Sequence, residues 1–164
     1  MSTTPDRIEK KIMLRAPRQR VWEAISDARK FGSWFGVEFD GPFVPDRHMT
    51  GKIVPTTVDE EVARSQKPYE GKCFNITVDR IVPMKLFSFR WHPYAVDGDA
   101  DYSKEPTTVV VFELEEVAGG SMLTITESGF SQIPLERRAK AFAGNEEGWT
   151  WQTKLIEKYL ARAN

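Results

Sequence analysis

Apolar and polar residues alternate along most of this chain, with the period of two that is typical of β-strands. The segments that predict strands are residues 7–14, 37–39, 51–55, 74–78, 86–91, 107–117 and 122–130. Pro83 and Met84 predict a hairpin turn between two of them. Gly119 and Gly120 predict another, because glycine tolerates the positive backbone angles of a tight turn. The pattern therefore predicts an antiparallel sheet.

Two short helices are predicted directly after the first strand. Val21 and Ile25 lie about one helical turn apart behind Pro17, whose fixed backbone angle suits a first helical turn. Residues 28–36 predict a second helical segment that ends at Gly36. Because both segments carry apolar side chains on one side, we expect them to pack on an apolar surface.

A long amphipathic helix is predicted from Pro134 onward. Its two apolar stripes are separated by residues 143–148, where Gly144 and Gly148 each cost about 1 kcal/mol of helix stability relative to alanine. Either the helix breaks there, or its backbone is kept bare so that another group can approach. The order strand, short helices, strands, terminal helix predicts an α+β fold in which a curved antiparallel sheet wraps the last helix and leaves a hollow between them.

Polar segments interrupt this pattern at three places. Residues 58–68 predict a solvent-exposed insertion with a single helical turn, and residues 92–106 predict a polar loop rich in Asp and Gly. We expect loops over residues 57–70 and 93–106 to gate entry to the hollow. Residues 1–7 are expected to be flexible, because nothing in the polar start of the chain can anchor it.

Length and charge narrow the function classes. A chain of 164 residues fits a single domain, which we place at residues 8–162. The 23 Lys and Arg residues balance 24 Asp and Glu residues without a basic run, which argues against nucleic acid as a partner. The absence of an apolar stretch of about 18 residues predicts no membrane span and a cytoplasmic location. Cys73 alone cannot form an internal disulfide and is expected to be a small buried hydrophobe.

Aromatic residues make up 12% of the chain and offer a candidate ligand-binding wall. The rings expected to line the hollow are Trp34, Phe35, Phe39, Phe74, Phe89, Trp91, Phe130 and Trp149. Each ring taken alone is explained equally well as ordinary core. As a set they favour a cavity for an apolar ligand, because large flat rings leave gaps between them.

Strand alternation adds a carboxylate to this wall. If Phe112 faces the terminal helix, then Ile125 and Glu127 on the neighbouring strand face it too. A carboxylate held among aromatic rings is desolvated, which suits a general acid or a ligand anchor. Alternatively, a bulge turns Glu127 to the edge of the sheet, or it pairs with Arg90 or with the backbone of the last helix. We expect Glu127, Arg90 and His92 to orient the polar end of a ligand.

No catalytic residue and no cofactor is assigned from the sequence. His48, His92 and Cys73 do not show the ligand spacing of a metal site, and no serine lies in a Gly-x-Ser-x-Gly elbow. His92, with Asp97 and Asp99 downstream, is the alternative acid-base candidate. We therefore interpret the site as one for binding and not for catalysis.

Several short motifs occur in an order that points to a known family. They are Ala16-Pro17 to Val21-Trp22 with Trp34-Phe35-Gly36, then residues 86–91, residues 124–130, and Asn145-Glu146-Glu147-Gly148-Trp149. Together they resemble the activator of Hsp90 ATPase homolog 1-like (AHSA1) family, within the START-like, or SRPBCC, superfamily, over residues 8–162. The resemblance implies a helix-grip fold, with a curved sheet around the C-terminal helix and two small helices closing one end.

The resemblance does not imply one reaction, because the superfamily includes lipid carriers, hormone receptors, aromatic cyclases and co-chaperone modules. We predict a protein that binds a small apolar or amphipathic molecule between the sheet and the last helix. One alternative is a module that stimulates an Hsp90-type chaperone ATPase through its outer surface. Another is a cyclase or hydrolase for a hydrophobic substrate. A homodimer is compatible with each of these.

Overall fold

A computed structural model describes residues 6–93 and 101–162. Its elements are β1 (Arg7–Leu14), α1 (Arg18–Ser26), α2 (Ala28–Phe35), β2 (Val37–Phe39), β3 (His48–Ile53), α3 (Glu60–Gln66), β4 (Cys73–Val82), β5 (Leu86–Trp91), β6 (Thr108–Val117), β7 (Gly120–Ser128) and α4 (Leu135–Arg162). Two 3₁₀ turns, Lys67–Tyr69 and Phe130–Gln132, follow α3 and β7. The strands form a seven-stranded antiparallel sheet in the order β1-β7-β6-β5-β4-β3-β2. This arrangement confirms the predicted α+β helix-grip fold.

The first and last strands of the chain are neighbours in this sheet. β1 is an edge strand, as predicted, and pairs along its whole length with β7, from Arg7 opposite Ser128 to Leu14 opposite Ser121. The two short helices then carry the chain to β2, which forms the other edge. α4 contacts β1, α1 and α2. The terminal helix is therefore held both by the sheet and by the helices at one end of it.

The two longest neighbouring strands place their alternate residues on one buried face. Phe112 lies opposite Ile125, and Val110 lies opposite Glu127. All four are buried, with exposed fractions of 0 or 1%. Since strand side chains alternate between faces, one buried pair fixes the orientation of the others. The predicted inward set on β6 and β7 is confirmed, and we call this side of the sheet its inner face.

The bounds of several strands differ from the prediction. β3 spans His48–Ile53 and not residues 51–55, and β4 spans Cys73–Val82 and not residues 74–78. β7 includes Gly120, which the sequence pattern places in the turn, and stops before Gly129 instead of continuing to Phe130. Gly129 has a φ of 104°, in the left-handed region that glycine adopts most easily, and this turns the chain out of the strand and into a 3₁₀ turn.

The helix boundaries follow local backbone chemistry. Pro17 is the N-cap residue of α1 and does not lie in its first turn. Gly36 ends α2 as predicted, with a φ of 97° and its N–H donating to the carbonyl of Gly32 at 2.9 Å. α4 continues unbroken through Gly144 and Gly148, so the helix does not break there. In the described part of the chain, no helix combines the length and the apolar character needed to cross a membrane.

The polar insertion is more ordered than the sequence predicts. Asp59 caps α3 by accepting from the N–H of Val62 at 3.0 Å, and Val62 itself is buried. Lys158 of α4 forms an ion pair with Asp59, and Arg162 donates to the carbonyl of Thr57 at 2.7 Å. The segment is therefore docked against α4 instead of standing free in solvent.

The start of the described chain is anchored at Asp6, which corrects the prediction of a flexible start at this residue. Its backbone carbonyl accepts from the N–H groups of Gly129 and Phe130 at 3.2 and 3.3 Å, and its carboxylate accepts from the N–H of Ser131 at 2.9 Å. Hydrogen bonds from the side chain and backbone of Ser131 hold the pKa of Asp6 below its ordinary value of 3.8. Residues 1–5, also expected to be flexible, lie outside the described residues.

Two helical glycines make a matched pair for testing this packing. A Cβ at Gly32 would lie 2.1 Å from the backbone oxygen of Val37, whereas a Cβ at Gly148 meets no heavy atom within 4 Å. We predict that Gly32→Ala destabilises the fold by at least about 2 kcal/mol through this clash. Gly148→Ala should stabilise it by up to about 1 kcal/mol through helix propensity. Urea unfolding measures both, and equal effects at the two positions would contradict the packing described.

Candidate functional site

Glu127 is a fully buried carboxylate on the inner face of the sheet. It lies near the end of β7, and its exposed fraction is 0%. The indole N–H groups of Trp91 and Trp149 each donate to it at 2.8 Å. The Thr108 hydroxyl donates at 2.5 Å, and the Asn145 amide donates to both carboxylate oxygens at 2.9 and 3.0 Å. We call these four side chains the Glu127 clamp.

The clamp joins three neighbouring strands to the terminal helix. Trp91 ends β5, Thr108 begins β6, and Asn145 and Trp149 lie one turn apart on the same face of α4. Oε1 of Glu127 accepts from Trp149 and Asn145, while Oε2 accepts from Trp91, Thr108 and Asn145. All of these donors are neutral side chains, so the pairing with Arg90 or with the helix backbone considered above does not occur.

Aromatic rings occupy the inner face around this carboxylate. The rings that form one connected set of contacts are those of Phe31, Trp34, Phe35, Phe39, Phe43, Phe74, Phe87, Phe89, Trp91, Phe112 and Trp149. Trp149 of α4 contacts Phe112, Trp91 and Phe35, with ring centroids 5.8, 5.9 and 6.0 Å apart. The terminal helix therefore packs directly on the rings of the sheet and of α2.

Four of these rings are only partly buried. Phe35, Phe39, Phe74 and Trp91 keep some exposure, whereas Phe89, Phe112 and Trp149 are buried. Trp91 contacts Phe35 and Phe74 at 6.4 and 6.2 Å between centroids, and Phe39 contacts Phe74 at 6.3 Å. We call these four side chains the ring rim. It gives the inner face an apolar margin that solvent reaches.

One position of α4, next to Trp149 in sequence, faces open space. Gly148 directly precedes Trp149 and is partly exposed, and a Cβ built on it meets no heavy atom within 4 Å. One turn later, Gln152 donates its amide N–H to the carbonyl of Phe35 at 3.2 Å. This hydrogen bond between Gln152 and Phe35 links α4 to the end of α2.

Two surface clefts lie away from α4, and the first of them includes Phe39 of the ring rim. A cleft of about 960 Å³ between α2 and the β2–β3 region is lined by Asp27, Phe39 and Pro55 among others. A second, of about 790 Å³, lies on the outer face of the sheet and includes Arg80 and Glu115. Neither is lined by a residue of α4. Neither cleft therefore corresponds to the predicted hollow, whose centre is occupied by contacting rings.

Three predicted ligand-binding residues lie apart from the ring set. Phe130 packs against Phe142, with centroids 5.1 Å apart. Arg90 is exposed on the opposite face of β5, with its Nε 3.9 Å from a carboxylate oxygen of Asp79. His92 is partly buried just after β5, and its Nε2 lies 3.1 Å from the carbonyl of Glu105. The other predicted residues are brought together on the inner face, where Ile125 lies opposite Phe112 on the neighbouring strand.

The remaining reactive side chains lie at the surface. Cys73 is exposed at the start of β4, which corrects the expectation that it is buried. His48 lies on β3 with its Nδ1 2.8 Å from the Thr77 hydroxyl. Within residues 6–93 and 101–162, no three His, Cys, Asp or Glu side chains are grouped so that they could hold a metal ion.

The loop over residues 93–106 is attached to α4 at its base. Arg137 donates to a carboxylate oxygen of Glu105 at 2.9 Å and to the carbonyl of Pro93 at 2.8 Å. Residues 94–100 lie outside the described residues. They include the central part of this predicted gate, with Asp97 and Asp99.

Sequence reasoning missed the polar partners of Glu127. Thr108 lies in no motif, and the motif that contains Asn145 does not indicate a partner for it. The hydrogen bonds from Asn145 depend on how α4 is rotated over the sheet, and that from Thr108 depends on the register of two strands. Gln66 and Gln152, which both donate to the carbonyl of Phe35, were missed for the same reason. A signal was present for Asn145, since it lies between two helical glycines that leave the helix bare.

Comparison with known proteins places the chain in a recognised group. The family model described as activator of Hsp90 ATPase homolog 1-like protein (AHSA1) matches residues 15–161. No curated protein matches the sequence.

Solved structures share the fold at low sequence identity. A protein from Mesorhizobium loti is 18% identical with a TM-score of 0.70, and the match covers 96% of this chain and 98% of that one. A protein from Arthrobacter aurescens is 16% identical with a TM-score of 0.71, covering 96% and 87%. The Aha1 dimer from Colwellia psychrerythraea is 16% identical with a TM-score of 0.64, covering 94% and 95%. These likenesses show that the chain shares the fold of these structures.

The Glu127 clamp makes a direct prediction about stability. Glu127→Gln replaces one accepting oxygen by an NH₂ group, so the indole N–H of either Trp91 or Trp149, which can only donate, loses its acceptor. We expect a loss of about 2–4 kcal/mol in the free energy of unfolding, because buried polar groups are left unpaired. Urea unfolding followed by tryptophan fluorescence measures it. Glu115→Gln, at an exposed site on β6, is the control, and losses of equal size in both variants would contradict the clamp.

Proposed function

Because this chain belongs to the activator of Hsp90 ATPase homolog 1-like family, we propose that it binds a small apolar or amphipathic molecule at the margin of the inner face of the sheet, beside α4. The ligand contacts the ring rim and the open side of Gly148. The START-like superfamily that the sequence resembles includes lipid carriers and hormone receptors, which is in keeping with this role.

One observation carries the proposal. The partly exposed ring of Trp91 contacts those of Phe35 and Phe74, and Trp149 of α4 packs on Trp91 and Phe35. The residue before Trp149 is Gly148, where an added Cβ would meet no neighbouring heavy atom within 4 Å. An apolar molecule seated there removes ring surface from water, and each Å² of apolar surface buried contributes roughly 25 cal/mol before the costs of binding. Because the rings at the centre of the set pack against one another, they form a rigid apolar surface that supports a ligand at this position.

Glu127 has a positioning part in this proposal. Both of its oxygens already accept hydrogen bonds from the clamp, which holds the rings of Trp91 and Trp149 in place. Because both oxygens already accept hydrogen bonds, this carboxylate is better suited to holding the wall of a binding site in place than to exchanging a proton with a substrate. The proposal therefore keeps Glu127 as a support for the ligand's apolar contacts, and favours binding over a cyclase or hydrolase.

Filling the open space tests the proposal. Gly148→Leu places a branched side chain where the ligand is proposed to lie, so we predict at least a tenfold loss of affinity for Nile red, a neutral apolar dye, on the order of 1.4 kcal/mol. Fluorescence titration measures the affinity, and thermal unfolding checks the fold. Thr150→Leu adds a similar side chain at an exposed position of the same helix and should bind the dye like the wild type. Unchanged affinity in Gly148→Leu would refute the site.

A second candidate function is stimulation of an Hsp90-type chaperone ATPase. It is favoured by the description of the matched family and by the likeness to the Aha1 dimer from Colwellia psychrerythraea. Such an activity would use the outer surface of the protein and not the space beside Gly148.

The chaperone hypothesis predicts that adding this protein to a cognate Hsp90-type ATPase raises ATP turnover in a saturable way. Because the surface is different, Gly148→Leu should stimulate as well as the wild type does. Steady-state phosphate release measures the rate. No change in turnover at saturating protein would exclude this function. Loss of stimulation in Gly148→Leu would show that stimulation depends on the proposed ligand site and not on the outer surface.

A further inference from the structure

β1 has a partner strand on one side only. It lies at the end of the sheet order and pairs with β7. Within the described part of the chain, no backbone hydrogen bond links residues 7–14 to a segment other than β7. In an antiparallel pair, every second residue of a strand directs its N–H and C=O away from the partner strand. The eight residues of β1 therefore present a row of backbone donors and acceptors at the edge of the sheet.

β1 lacks several features that commonly protect a sheet edge from another strand. Its register with β7 runs without a bulge over all eight residues, and it contains neither proline nor glycine. Bulges, prolines and very short strands are common means of blocking such an edge. The opposite edge of the sheet, β2, is only three residues long. Of the two edges, β1 is thus the one that can accept a further strand.

The charges on β1 favour one partner, a second copy of β1 that runs antiparallel to it. Directly opposite residues lie on the same face, so the two-fold axis of such a pair passes between two copies of the same residue. An axis at Lys10 places Glu9 opposite Lys11, and Ile8 opposite Ile12. An axis at the residue before or after Lys10 places Glu9 opposite a second Glu9 or opposite Met13. Only the register centred on Lys10 therefore gives Glu–Lys pairs, two in each dimer.

The side chains of these pairs are accessible to a second copy. Glu9 and Lys11 are both exposed and lie beside the cleft on the outer face of the sheet. Glu9 pairs with Arg7 of its own chain at 2.7 Å, but these side chains are 43% and 60% exposed, and such surface pairs contribute little to stability. On the inner face, the partly buried Ile12 would lose further apolar surface to water on meeting Ile8 of the second copy.

We infer that the protein forms a two-fold symmetric dimer in which the β1 strands of two copies pair antiparallel and join the two sheets into one. Lys10 meets its own copy at the axis, but two attractive Glu9–Lys11 pairs outweigh one repulsive pair of similar size. Assembly ends at two copies, because the pairing uses β1 of both and leaves only the short β2 as an edge. The dimer does not depend on the proposed function, since neither Glu9 nor Lys11 lies in the Glu127 clamp or the ring rim.

Exchanging the two charges tests the dimer and its register together. Lys11→Glu turns both attractive pairs into repulsive ones, so we expect its dimer dissociation constant to rise at least about tenfold above that of the wild type. The double variant Glu9→Lys with Lys11→Glu restores both pairs in the opposite sense and should return to within about threefold of the wild type. Lys10→Gln removes the repulsive pair and should tighten the dimer. Sedimentation equilibrium measures each constant, and thermal unfolding checks each fold.

Lys85→Glu is the matched control for net charge. Lys85 is exposed at the turn before β5, three strands away from β1 in the sheet, so this variant should dimerise like the wild type. A wild-type protein that stays monomeric up to roughly 1 mM would overturn the dimer. A dimer that Lys11→Glu leaves unchanged would overturn the β1 interface, and a double variant as weak as Lys11→Glu would overturn the register.

Amide hydrogen exchange gives a test that needs no variant. Raising the protein concentration through the dimer dissociation constant should slow exchange at every second amide of residues 7–14, because those N–H groups gain acceptors in the second copy. The amides between them are already paired with β7 and should change little. Dimerisation without this alternating protection along β1 would contradict strand pairing.

Discussion

The buried carboxylate of Glu127 fixes where the terminal helix lies on the sheet. A carboxylate with no solvent contact is expensive to bury unless donors surround it. Here the donors come from both sides, with Trp91 and Thr108 on the strands and Asn145 and Trp149 on α4. These hydrogen bonds can all form only in one rotation and one axial position of the helix. The clamp therefore specifies a geometry that apolar packing alone leaves free.

That geometry has consequences along α4. With Asn145 and Trp149 turned to the sheet, Gln152 one turn on meets the end of α2, where it donates to the carbonyl of Phe35. The same rotation leaves Gly148, next to Trp149, facing open space, with no heavy atom within 4 Å of a Cβ built on it. Burying a carboxylate costs free energy, and its hydrogen bonds to neutral donors offset that cost. We interpret the carboxylate as a device for alignment more than for stability.

The sequence predicted the parts that depend on local periodicity. The alternation in β6 and β7 was enough to turn Glu127 inward, and Gly36 was enough to end α2. It did not predict the partners of Glu127, because these lie at different places in the chain and meet only once α4 has been rotated over the sheet. The sequence also cannot tell whether rings line an empty space or touch. Trp149 packs on Phe112 because the helix sits close to the sheet, and no pattern encodes that distance.

The clamp can be observed directly through the indole protons of the tryptophans. In an ¹H–¹⁵N spectrum, hydrogen exchange distinguishes indole N–H groups that are bonded and buried from those that meet water. Trp151, which is 39% exposed, is the internal reference. The account predicts that the Nε1–H protons of Trp91 and Trp149 exchange far more slowly than that of Trp151, and that both accelerate together in Glu127→Gln. Exchange at the rate of Trp151 in the wild-type protein would contradict it.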